Sequence, residues 1–440
     1  MIGNGTKQII LTCGYNTYHQ LGAKSNNRSR DGTPIINPPA HLHLDASSIL
    51  SYSTYFDHTV FITCSNEVLA IGDNRCGEIS PTLPKRIHSQ FTKFELKNNQ
   101  GQLFKPISVV CGESYTLYIV TNKAGNSKQQ LAYCSHSKSD FPLFLTTGNS
   151  KIVSIFGGCT NAAAIDADGS IYFISYTFKN SMGSQIEGSR LPGSEKAVSV
   201  ACLESFIFVL SSNGSVFCSN LSKDIEKVDN ATKYRLKFNQ IPELRGRKIV
   251  FISGSYNHCL AVSDDGHVFG YGSNSYGQLG CFNGQKHVSR FIQILSLGRN
   301  KITAAYAGFN HSLFKTPDGA VLACGSNAGG ELFLYSAPTE ECVSSPVETI
   351  IESGASFCIA GNVCSVVFKT VGGPKKDSKS QKVAPMKPLK KSVNKRRAER
   401  VRKESQSERL KRVEEENASL KAEILKLKKE NIIRLIPKKK

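Results

Sequence analysis

Short apolar runs separated by glycine-rich turns fill the first 370 residues and predict antiparallel β-strands. The runs are rich in β-branched and aromatic residues, which suit a pleated, half-buried surface. One strand phrase recurs in seven copies, which begin near residues 11, 68, 131, 171, 216, 268 and 321. Its fullest copies, Leu11–Gly22 and Val268–Gly280, end in Gln-Leu-Gly, and the middle three keep only the strand. A repeated structural unit is therefore expected.

A second apolar phrase precedes most copies, as in Lys248–Val262 and Lys301–Phe314. Asp-Gly or Asn-Gly usually joins it to the strand phrase, as at Asp318-Gly319. Both central positions of the tightest hairpin turns need positive φ, so these dipeptides are strong hairpin signals. Each repeat therefore contains at least one hairpin.

The two ends of this region are complementary. The first strand phrase, Ile9–Gly14, has no leading phrase, and the last leading phrase, Thr349–Phe368, has no strand phrase after it. A ring in which the N-terminal strand completes the last blade explains both gaps and removes exposed sheet edges. The sequence therefore predicts an all-β fold over residues 1–370, a seven-bladed β-propeller of antiparallel four-stranded blades.

These motifs resemble the regulator of chromosome condensation family of seven-bladed propellers. The matching elements are Gly-Ser-Asn-Ser-Tyr-Gly-Gln-Leu-Gly at 272–280, its copy at 14–22, and the histidine and Asp-Gly phrases that precede them. Family repeats often end the strand phrase in Trp-Gly, whereas this chain has no tryptophan and carries Cys13, Tyr271 or Cys324 there. The resemblance implies either an exchange factor for a Ran-type small GTPase or an interaction scaffold.

Three histidines, His58, His258 and His311, occupy equivalent repeat positions, and Tyr115 stands at the same position in another repeat. We interpret them as structural histidines that hydrogen-bond backbone on an inner strand. The alternative, a catalytic or metal site, needs convergence with carboxylates. The Asp-Gly carboxylates are typical of turns, and no phosphate-loop, nucleophile-elbow or zinc-protease motif occurs. We therefore expect no catalytic, cofactor-binding or metal-binding residues.

The cysteines and apolar runs indicate the compartment. None of the fourteen cysteines forms a C-x-x-C pair, so we expect buried free thiols rather than zinc ligands or disulfides. The longest apolar runs, such as Phe206–Leu210, are far shorter than the ~20 residues of a membrane span. The N-terminus lacks the charged and apolar pattern of a secretory signal. An intracellular protein, nuclear or cytoplasmic, is expected.

Charge separates a C-terminal tail from this body. Residues 371–440 carry 24 of the 55 basic and 9 of the 35 acidic residues. Residues 371–394, rich in Pro, Ser and Lys, predict a disordered basic linker. A basic cluster follows, which indicates a nuclear-import signal or a nucleic-acid patch, with a merely solvated tail as the alternative. Its members are Lys390, Lys391, Lys395, Arg396, Arg397, Arg400, Arg402 and Lys403.

Residues 395–436 predict a basic helix and a coiled coil. A 3,4 spacing marks the seam, formed by Leu410, Val413, Asn417, Leu420, Ile424, Leu427 and Asn431. Asparagine at the a positions favours two parallel strands, hence a homodimer; a lone charged helix is the alternative. The basic stretch also resembles a bZIP DNA-binding helix, but Val413 is one residue out of phase with that family.

Three functions remain open from the sequence. The favoured interpretation is a non-catalytic adaptor whose propeller binds a protein partner and whose tail dimerises it. One alternative is a guanine-nucleotide exchange factor for a Ran-type GTPase, associated with chromatin through the tail. The other is a nucleic-acid binder in which the basic tail dominates.

Overall fold

The structure is a computed structural model that describes residues 7–122, 129–135, 141–145, 147, 150–175, 186–227, 234–281, 284–334 and 342–371. Nearly all regular structure in this part is β. Three single-turn 3₁₀ helices span Ala46–Ser48, Pro242–Leu244 and Leu295–Leu297. No helix in the described ranges has the length and apolar character needed to cross a bilayer.

Thirty-two short strands follow one another along the described chain. In chain order they are β1 (Lys7–Tyr15), β2 (Asn27–Arg28), β3 (Pro34–Leu42), β4 (Ile49–Thr54), β5 (His58–Thr63), β6 (Val68–Asp73), β7 (Ile87–Phe94), β8 (Leu96–Lys97), β9 (Leu103–Cys111), β10 (Tyr115–Asn122), β11 (Gln129–Ser135), β12 (Leu143–Leu145), β13 (Ile152–Gly157), β14 (Asn161–Asp166), β15 (Ile171–Ser175), β16 (Gly188–Ser189), β17 (Ala197–Cys202), β18 (Phe206–Ser211), β19 (Val216–Asn220), β20 (Ile225–Lys227), β21 (Tyr234–Leu236), β22 (Asn239–Gln240), β23 (Ile249–Gly254), β24 (His258–Ser263), β25 (Val268–Ser273), β26 (His287–Gln293), β27 (Ala304–Ala307), β28 (His311–Lys315), β29 (Val321–Ser326), β30 (Cys342–Glu348), β31 (Ala355–Ala360) and β32 (Cys364–Val371).

Seven antiparallel sheets form the blades of a propeller, as predicted. Blades 1, 3, 5 and 6 are β4–β7, β13–β16, β23–β26 and β27–β30, and blade 4 is β17, β18, β19 and β22. Blade 2 is β9–β12 with β8 added at its edge. A separate hairpin, β20–β21, is inserted in blade 4. The four-stranded blade is therefore the basic unit, with short additions in three of the seven blades.

The N-terminal segment closes the ring in blade 7. Strand β1 pairs antiparallel with β32, with Lys7 opposite Val371 and Gly14 opposite Cys364. Strand β3 then pairs with β1, so the order across the sheet is β31, β32, β1, β3, with β2 at the edge. The predicted closure is confirmed, and the N-terminal segment contributes two principal strands to the last blade rather than one. Because the ring is closed, every blade packs between two neighbouring blades.

The core lies between adjacent blades. The second strand of each blade is covered on both faces, so it reads as a continuous apolar run; Val60, Phe61 and Ile62 are all fully buried. Cysteines fill small spaces in these layers, as expected: all fourteen are free, and nine of them are buried. The first strand of each blade faces the axis and lines a central cavity of about 360 Å³.

The hairpin turns differ from the predicted type. In blade 5 the Ser263 N–H donates to the His267 carbonyl and the Gly266 N–H to the Ser263 carbonyl. Only Gly266, at φ +87°, is left-handed, and the preceding aspartates are not among the positive-φ residues. The prediction that both turn positions need positive φ was therefore wrong. In blade 1 the same left-handed position is held by Asn66 at φ +60°, a residue type that tolerates it.

The glycine at the end of the third strand permits a close backbone approach. Gly272 has φ +102°, and an added Cβ would lie 2.2 Å from the Asn257 carbonyl oxygen. The next residue, Ser273, donates its N–H to that oxygen at 2.8 Å. Gly14, Gly72 and Gly325 make the same approach in their own blades. This contact fixes the loop between the first and second strands of the blade.

Candidate functional site

A ring of interblade contacts runs through the first residue of every second strand. Three of these residues are the predicted histidines, whose Nε2 atoms bond a hydroxyl in the next blade: His58 to Thr116 at 2.8 Å, His258 to Ser312 at 3.0 Å, and His311 to Ser365 at 2.8 Å. The histidines are structural, as interpreted, but their partners are side-chain hydroxyls and not backbone. We call this position the ladder position.

Other residue types make the same connection where histidine is absent. The Tyr115 hydroxyl donates to the carbonyls of Gly158 and Asn161 at 3.0 and 2.7 Å. Asn161, itself at the ladder position of blade 3, donates from Nδ2 to the Leu203 carbonyl of blade 4 at 3.1 Å. The ladder therefore joins successive blades at a constant height and fixes the loop that precedes it.

That preceding loop has three residues in every blade, and its central residue is the candidate functional position. The loop is closed by a backbone hydrogen bond, as between the Gly158 N–H and the Asn161 carbonyl at 2.8 Å. The seven central residues, two before each ladder position, form what we call the mouth ring: Phe56, Glu113, Cys159, Glu204, Tyr256, Phe309 and Asn362. They surround the axis at the end of the propeller that we call the loop face.

The mouth ring has an acidic side and an aromatic side. Glu113 and Glu204 are exposed, whereas Phe56, Tyr256 and Phe309 are half-buried. Tyr256 and Phe309 stack with their ring centroids 4.4 Å apart and an interplanar angle of 11°. The two sides meet because the Glu204 N–H donates to the Tyr256 carbonyl at 2.9 Å. Carboxylates and aromatic faces thus lie side by side.

One hydrogen bond across the axis and one between neighbouring blades close the channel at the mouth ring. The Tyr55 hydroxyl of blade 1 lies 3.2 Å from the Ser255 hydroxyl of blade 5. The Cys159 thiol donates to Glu113 Oε2 at 3.1 Å. Tyr55 and Cys159 are only 5% and 2% exposed, so they form a floor under the exposed glutamates. The loop face therefore presents a shallow, closed bowl.

The electrostatics of the bowl are negative. Burial and the adjacent Glu113 carboxylate raise the pKa of Cys159 to about 12. The Glu204 carboxylate, with a further contribution from Glu113, raises the pKa of the Tyr256 hydroxyl. Both shifts have the sign expected where negative charge disfavours a second anion. A cationic group is the complementary ligand, since it would be attracted by carboxylates and aromatic faces together.

The repeated strand phrase builds the outer loops of the same face. In four blades an asparagine Oδ1 accepts the N–H of the residue five positions later, at 3.0 Å each time: Asn16 from Leu21, Asn74 from Ile79, Asn274 from Leu279 and Asn327 from Leu332. The following Gln or Glu accepts the N–H two residues before it, as Gln278 does from Tyr276 at 2.9 Å. The polar side chains of the phrase therefore stabilise their own loop, and the phrase is not a phosphate-binding loop.

One buried acidic cluster lies beside the ladder in blade 1. Asp57, Asp73 and Glu78 bring their carboxylate oxygens within 4.8 Å of one another. Two cationic partners compensate them: Arg75 bonds Asp73 at 2.5 Å, and His58 Nδ1 lies 2.6 Å from Asp57 Oδ1. Burial opposes protonation of His58, but its contacts with Cys111 and Asp57 raise its pKa well above the ordinary value. The protein's own side chains thus satisfy this cluster.

The Asp-Gly carboxylates have the turn role that was expected. The Ser263 hydroxyl donates to Asp265, and the His267 ring nitrogen Nδ1 lies 2.8 Å from the same carboxylate; these two contacts lower the pKa of Asp265 to about 2. The remaining predicted site residues, which are the basic cluster from Lys390 to Lys403 and the seam from Leu410 to Asn431, lie outside the described residues. The mouth ring itself was not singled out from the sequence.

The architecture first defines a class: a closed seven-bladed β-propeller. Models of the regulator of chromosome condensation (RCC1) repeat match residues 249–278 and 265–314, in blades 5 and 6. Blades 5 and 6 therefore contain RCC1 repeats. The resemblance drawn from the sequence motifs is confirmed.

Comparison with individual proteins agrees with this assignment. The ultraviolet-B receptor UVR8 of Arabidopsis thaliana is 26% identical over 303 residues, which cover 66% of this chain and 68% of the receptor. The secretion-regulating guanine nucleotide exchange factor of Bos taurus is 30% identical over 118 residues, 27% of this chain and 25% of that protein. Prp20p of Saccharomyces cerevisiae, studied for its binding to Gsp1p and histones, superimposes with a TM-score of 0.61 at 15% identity, covering 85% of this chain and 93% of Prp20p. That likeness shows the fold alone.

Proposed function

We propose that this protein is a non-catalytic, regulatory interaction propeller that binds a protein partner through its loop face. The mouth ring is the observation that carries the proposal. It places two exposed carboxylates, Glu113 and Glu204, beside the half-buried stack of Tyr256 and Phe309. The buried floor below leaves no deep cavity at this face for a small substrate. A projecting basic side chain of a partner fits such a bowl.

The energetics favour an arginine or lysine of the partner. A cation over an aromatic face contributes roughly 0.5–2 kcal/mol, and more as it is desolvated. Carboxylates beside that face add a charge-assisted hydrogen bond. The mouth ring offers both within one bowl, and the ladder holds the ring in place before a partner arrives. Little ordering cost remains for the propeller side of the interface.

Capture of partners by the full-length chain tests this function. Proteins bound by the parent are compared with those bound by a Glu113→Gln/Glu204→Gln variant and a Tyr256→Ala variant. A matched control, Glu243→Gln/Glu348→Gln, removes the same charge at exposed positions outside the bowl. We expect a specific set of partners to be lost from both mouth-ring variants and kept by the control. Identical sets for all four proteins would refute the proposal.

Guanine-nucleotide exchange is a second candidate. The favouring observation is the pair of exposed carboxylates at the centre of one face, since exchange by propellers of this family uses acidic groups of one face. The similarity to a secretion-regulating exchange factor points the same way. Faster release of labelled GDP from a Ran-type GTPase, lost on Glu204→Gln, would establish it. Unchanged release across a panel of small GTPases would remove it.

The tail completes the proposal. We propose that residues 404–440 dimerise the chain and that the basic cluster serves nuclear import or nucleic-acid binding in an intracellular protein. Light scattering should report a dimer that becomes a monomer when 404–440 are deleted. Nucleic-acid binding, if present, should weaken steeply with salt and disappear on deletion of 375–403. A monomeric parent would contradict the first part, and binding that survives the second deletion would contradict the other.

A further inference from the structure

The opposite end of the propeller carries a repeated lysine. In five consecutive blades a lysine lies ten residues before the ladder position, where the innermost strand begins: Lys105, Lys151, Lys196, Lys248 and Lys301. This end also holds the hairpin turns and the links between blades, and we call it the turn face. We call these five residues the lysine ring. The residue type repeats around five sevenths of the rim, whereas the mouth ring changes from blade to blade.

The backbone of the lysine ring is fixed while its charges stay in solvent. The carbonyls of Lys151, Lys196 and Lys248 each accept a hydrogen bond at 2.9 Å from the hairpin turn of their own blade. All five side chains are exposed. None of the five is in an ion pair among the residues that the structure describes. The ammonium groups are therefore available to an anionic partner.

Exposed apolar side chains lie two residues after this position. Val153, Val198 and Val250 are 55%, 48% and 46% exposed, and Leu50 of blade 1 is 50% exposed. Each lies where the pairing of the first two strands of its blade shifts register, as between Ile249 and Phe251. Such a β-bulge leaves one residue without a cross-strand partner. The bulge thus exposes an apolar side chain in four blades. In blade 7 the skipped residue is Ser356, and the next residue, Phe357, is 47% exposed.

The central cavity gives this surface a place for an anchor. The innermost strands of all seven blades line it, from Phe251 and Phe357 near the turn face to Tyr55 and Ser255 at the loop face. Tyr55 and Ser255 are buried, but Phe357 is half exposed. The cavity is therefore closed at the mouth ring and accessible from the turn face. An apolar side chain of a partner can enter there.

The hairpin turns of one blade pack against the lysine of the next blade on this face. An added Cβ at Gly169 would lie 2.6 Å from the Lys196 Cβ, and one at Gly266 would lie 3.1 Å from the Lys301 Cβ. Asp265 and Asp318 are held there by their own Ser263 and Thr316 hydroxyls. Hydroxyls of the same turns therefore bind these carboxylates, while the side chains of the lysine ring stay exposed around the cavity entrance. Five like charges around an apolar entrance select an anionic ligand that also carries apolar groups.

We propose that the turn face binds an acidic polypeptide segment, with one apolar side chain inserted into the central cavity and carboxylates paired with the lysine ring. The chain's own tail does not fit, because residues 371–440 carry 24 basic against 9 acidic residues. Nucleic acid would satisfy the lysines but leave the exposed apolar residues and the cavity without a ligand. The surface is separate from the mouth ring, so this proposal stands independently of the loop-face function.

The absence of tryptophan from the chain permits a direct test with the full-length protein. The probe is a short Glu-rich peptide with a single tryptophan flanked by leucines, whose emission belongs to the peptide alone. We expect binding that weakens with salt, and a blue shift as the indole leaves water. A Lys196→Glu/Lys248→Glu/Lys301→Glu variant should bind about tenfold more weakly. A Val198→Ser/Val250→Ser variant should reduce both affinity and blue shift.

Matched controls separate this surface from charge in general. Lys24→Glu/Lys223→Glu/Lys286→Glu makes the same charge change at exposed positions away from the turn face and should bind like the parent. The proposal is overturned if the peptide does not bind, or if the lysine-ring variant binds it as tightly as the control. It is also overturned if a poly-Glu peptide binds equally well. Duplex DNA is tested against the same variants. If the lysine-ring variant loses as much affinity for DNA as for the peptide, the surface binds nucleic acid instead.

Discussion

The two ends of the innermost strands have opposite designs. At the loop face the seven mouth-ring positions hold five residue types, with glutamates in blades 2 and 4 and aromatic residues in blades 1, 5 and 6. At the turn face one residue type, lysine, occupies the equivalent position in five consecutive blades. The same seven strands therefore carry a varied ring at one end and a repeated ring at the other.

This difference has a physical consequence for recognition. A varied ring is asymmetric, so it can hold a partner in one orientation and distinguish one partner from another. A repeated ring has nearly the same potential in each blade, so it attracts charge without fixing the rotation of a ligand about the axis. The loop face is thus suited to specificity and the turn face to electrostatic capture. The following predictions test stability and binding at the two faces, beginning with the largest expected effect.

The largest effect is expected from Gly272→Ala. The new Cβ would lie 2.2 Å from the Asn257 carbonyl oxygen, at a left-handed φ of +102°, and we expect a loss of about 4 kcal/mol of unfolding free energy. The displaced loop carries Tyr256, so partner capture at the loop face should fall with stability. Urea denaturation of the full chain measures the first effect.

Gly246→Ala is the matched control on the turn-face side. Gly246 is also left-handed, at φ +76°, but nothing lies within 4 Å of an added Cβ. Only the backbone strain remains, about 1 kcal/mol. Equal losses for Gly246→Ala and Gly272→Ala would show that the close approach to Asn257 does not hold the loop.

Acid pH should weaken the ladder next to the loop face. Burial lowers the pKa of His258 and of His311 to about 3, below the ordinary value of about 6.5. Between pH 6.5 and 3 these two histidines are therefore protonated in the unfolded chain but neutral in the folded chain. Stability must fall as pH decreases through that window, by up to about 1.4 kcal/mol per pH unit for each histidine. Urea midpoints at pH 7 and 5.5 measure the slope.

Blade 1 supplies the control for that slope. His58 has Asp57 where the other two histidines have Asn257 and Asn310, and its raised pKa gives the opposite sign. Its stabilising contribution is present below the unfolded pKa and is lost as pH rises through the folded pKa. Asp57→Asn should therefore steepen the acid loss, and His258→Gln/His311→Gln should flatten it. A slope unaffected by either change would contradict the ladder assignment.

Repetition explains what could be predicted from the sequence. Blade number and closure follow from recurring phrases and their complementary ends, because β-structure repeats leave the same pattern each time. Lys151, Lys196, Lys248 and Lys301 begin the recurring phrases, so their equivalence is visible in the sequence, although their exposure is not. The mouth ring was missed because Phe56, Glu113 and Cys159 share no chemistry. Counting two residues back from each ladder position is the signal that finds them.

The hydrogen-bond partners and turn types lay beyond this pattern. Histidine was expected to bond backbone, but Thr116, Ser312 and Ser365 stand one residue after the next ladder position and supply hydroxyls instead. That partnership depends on how neighbouring blades align. No single repeat contains the information.

A smaller effect is expected for single changes in the mouth ring, and the changes should be unequal. Glu204 interacts with Tyr256 on the aromatic side, whereas Glu113 accepts a hydrogen bond from the Cys159 thiol. Glu204→Gln should therefore weaken partner binding about tenfold, as expected for loss of one charge-assisted contact, and Glu113→Gln by less. Titration of an isolated partner measures both. Equal losses would mean that the ring acts only through net charge.

The smallest effects on binding are expected from single changes in the lysine ring, and these effects should be equal. Lys196→Gln, Lys248→Gln and Lys301→Gln each remove one exposed charge at the same repeat position, and we expect each to weaken the acidic peptide about two- to threefold, as for one surface ion pair. The three losses should multiply, since the sites lie in different blades and share no contact. One lysine that accounts for most of the affinity would show a fixed binding orientation, and the turn face would then resemble the mouth ring rather than contrast with it.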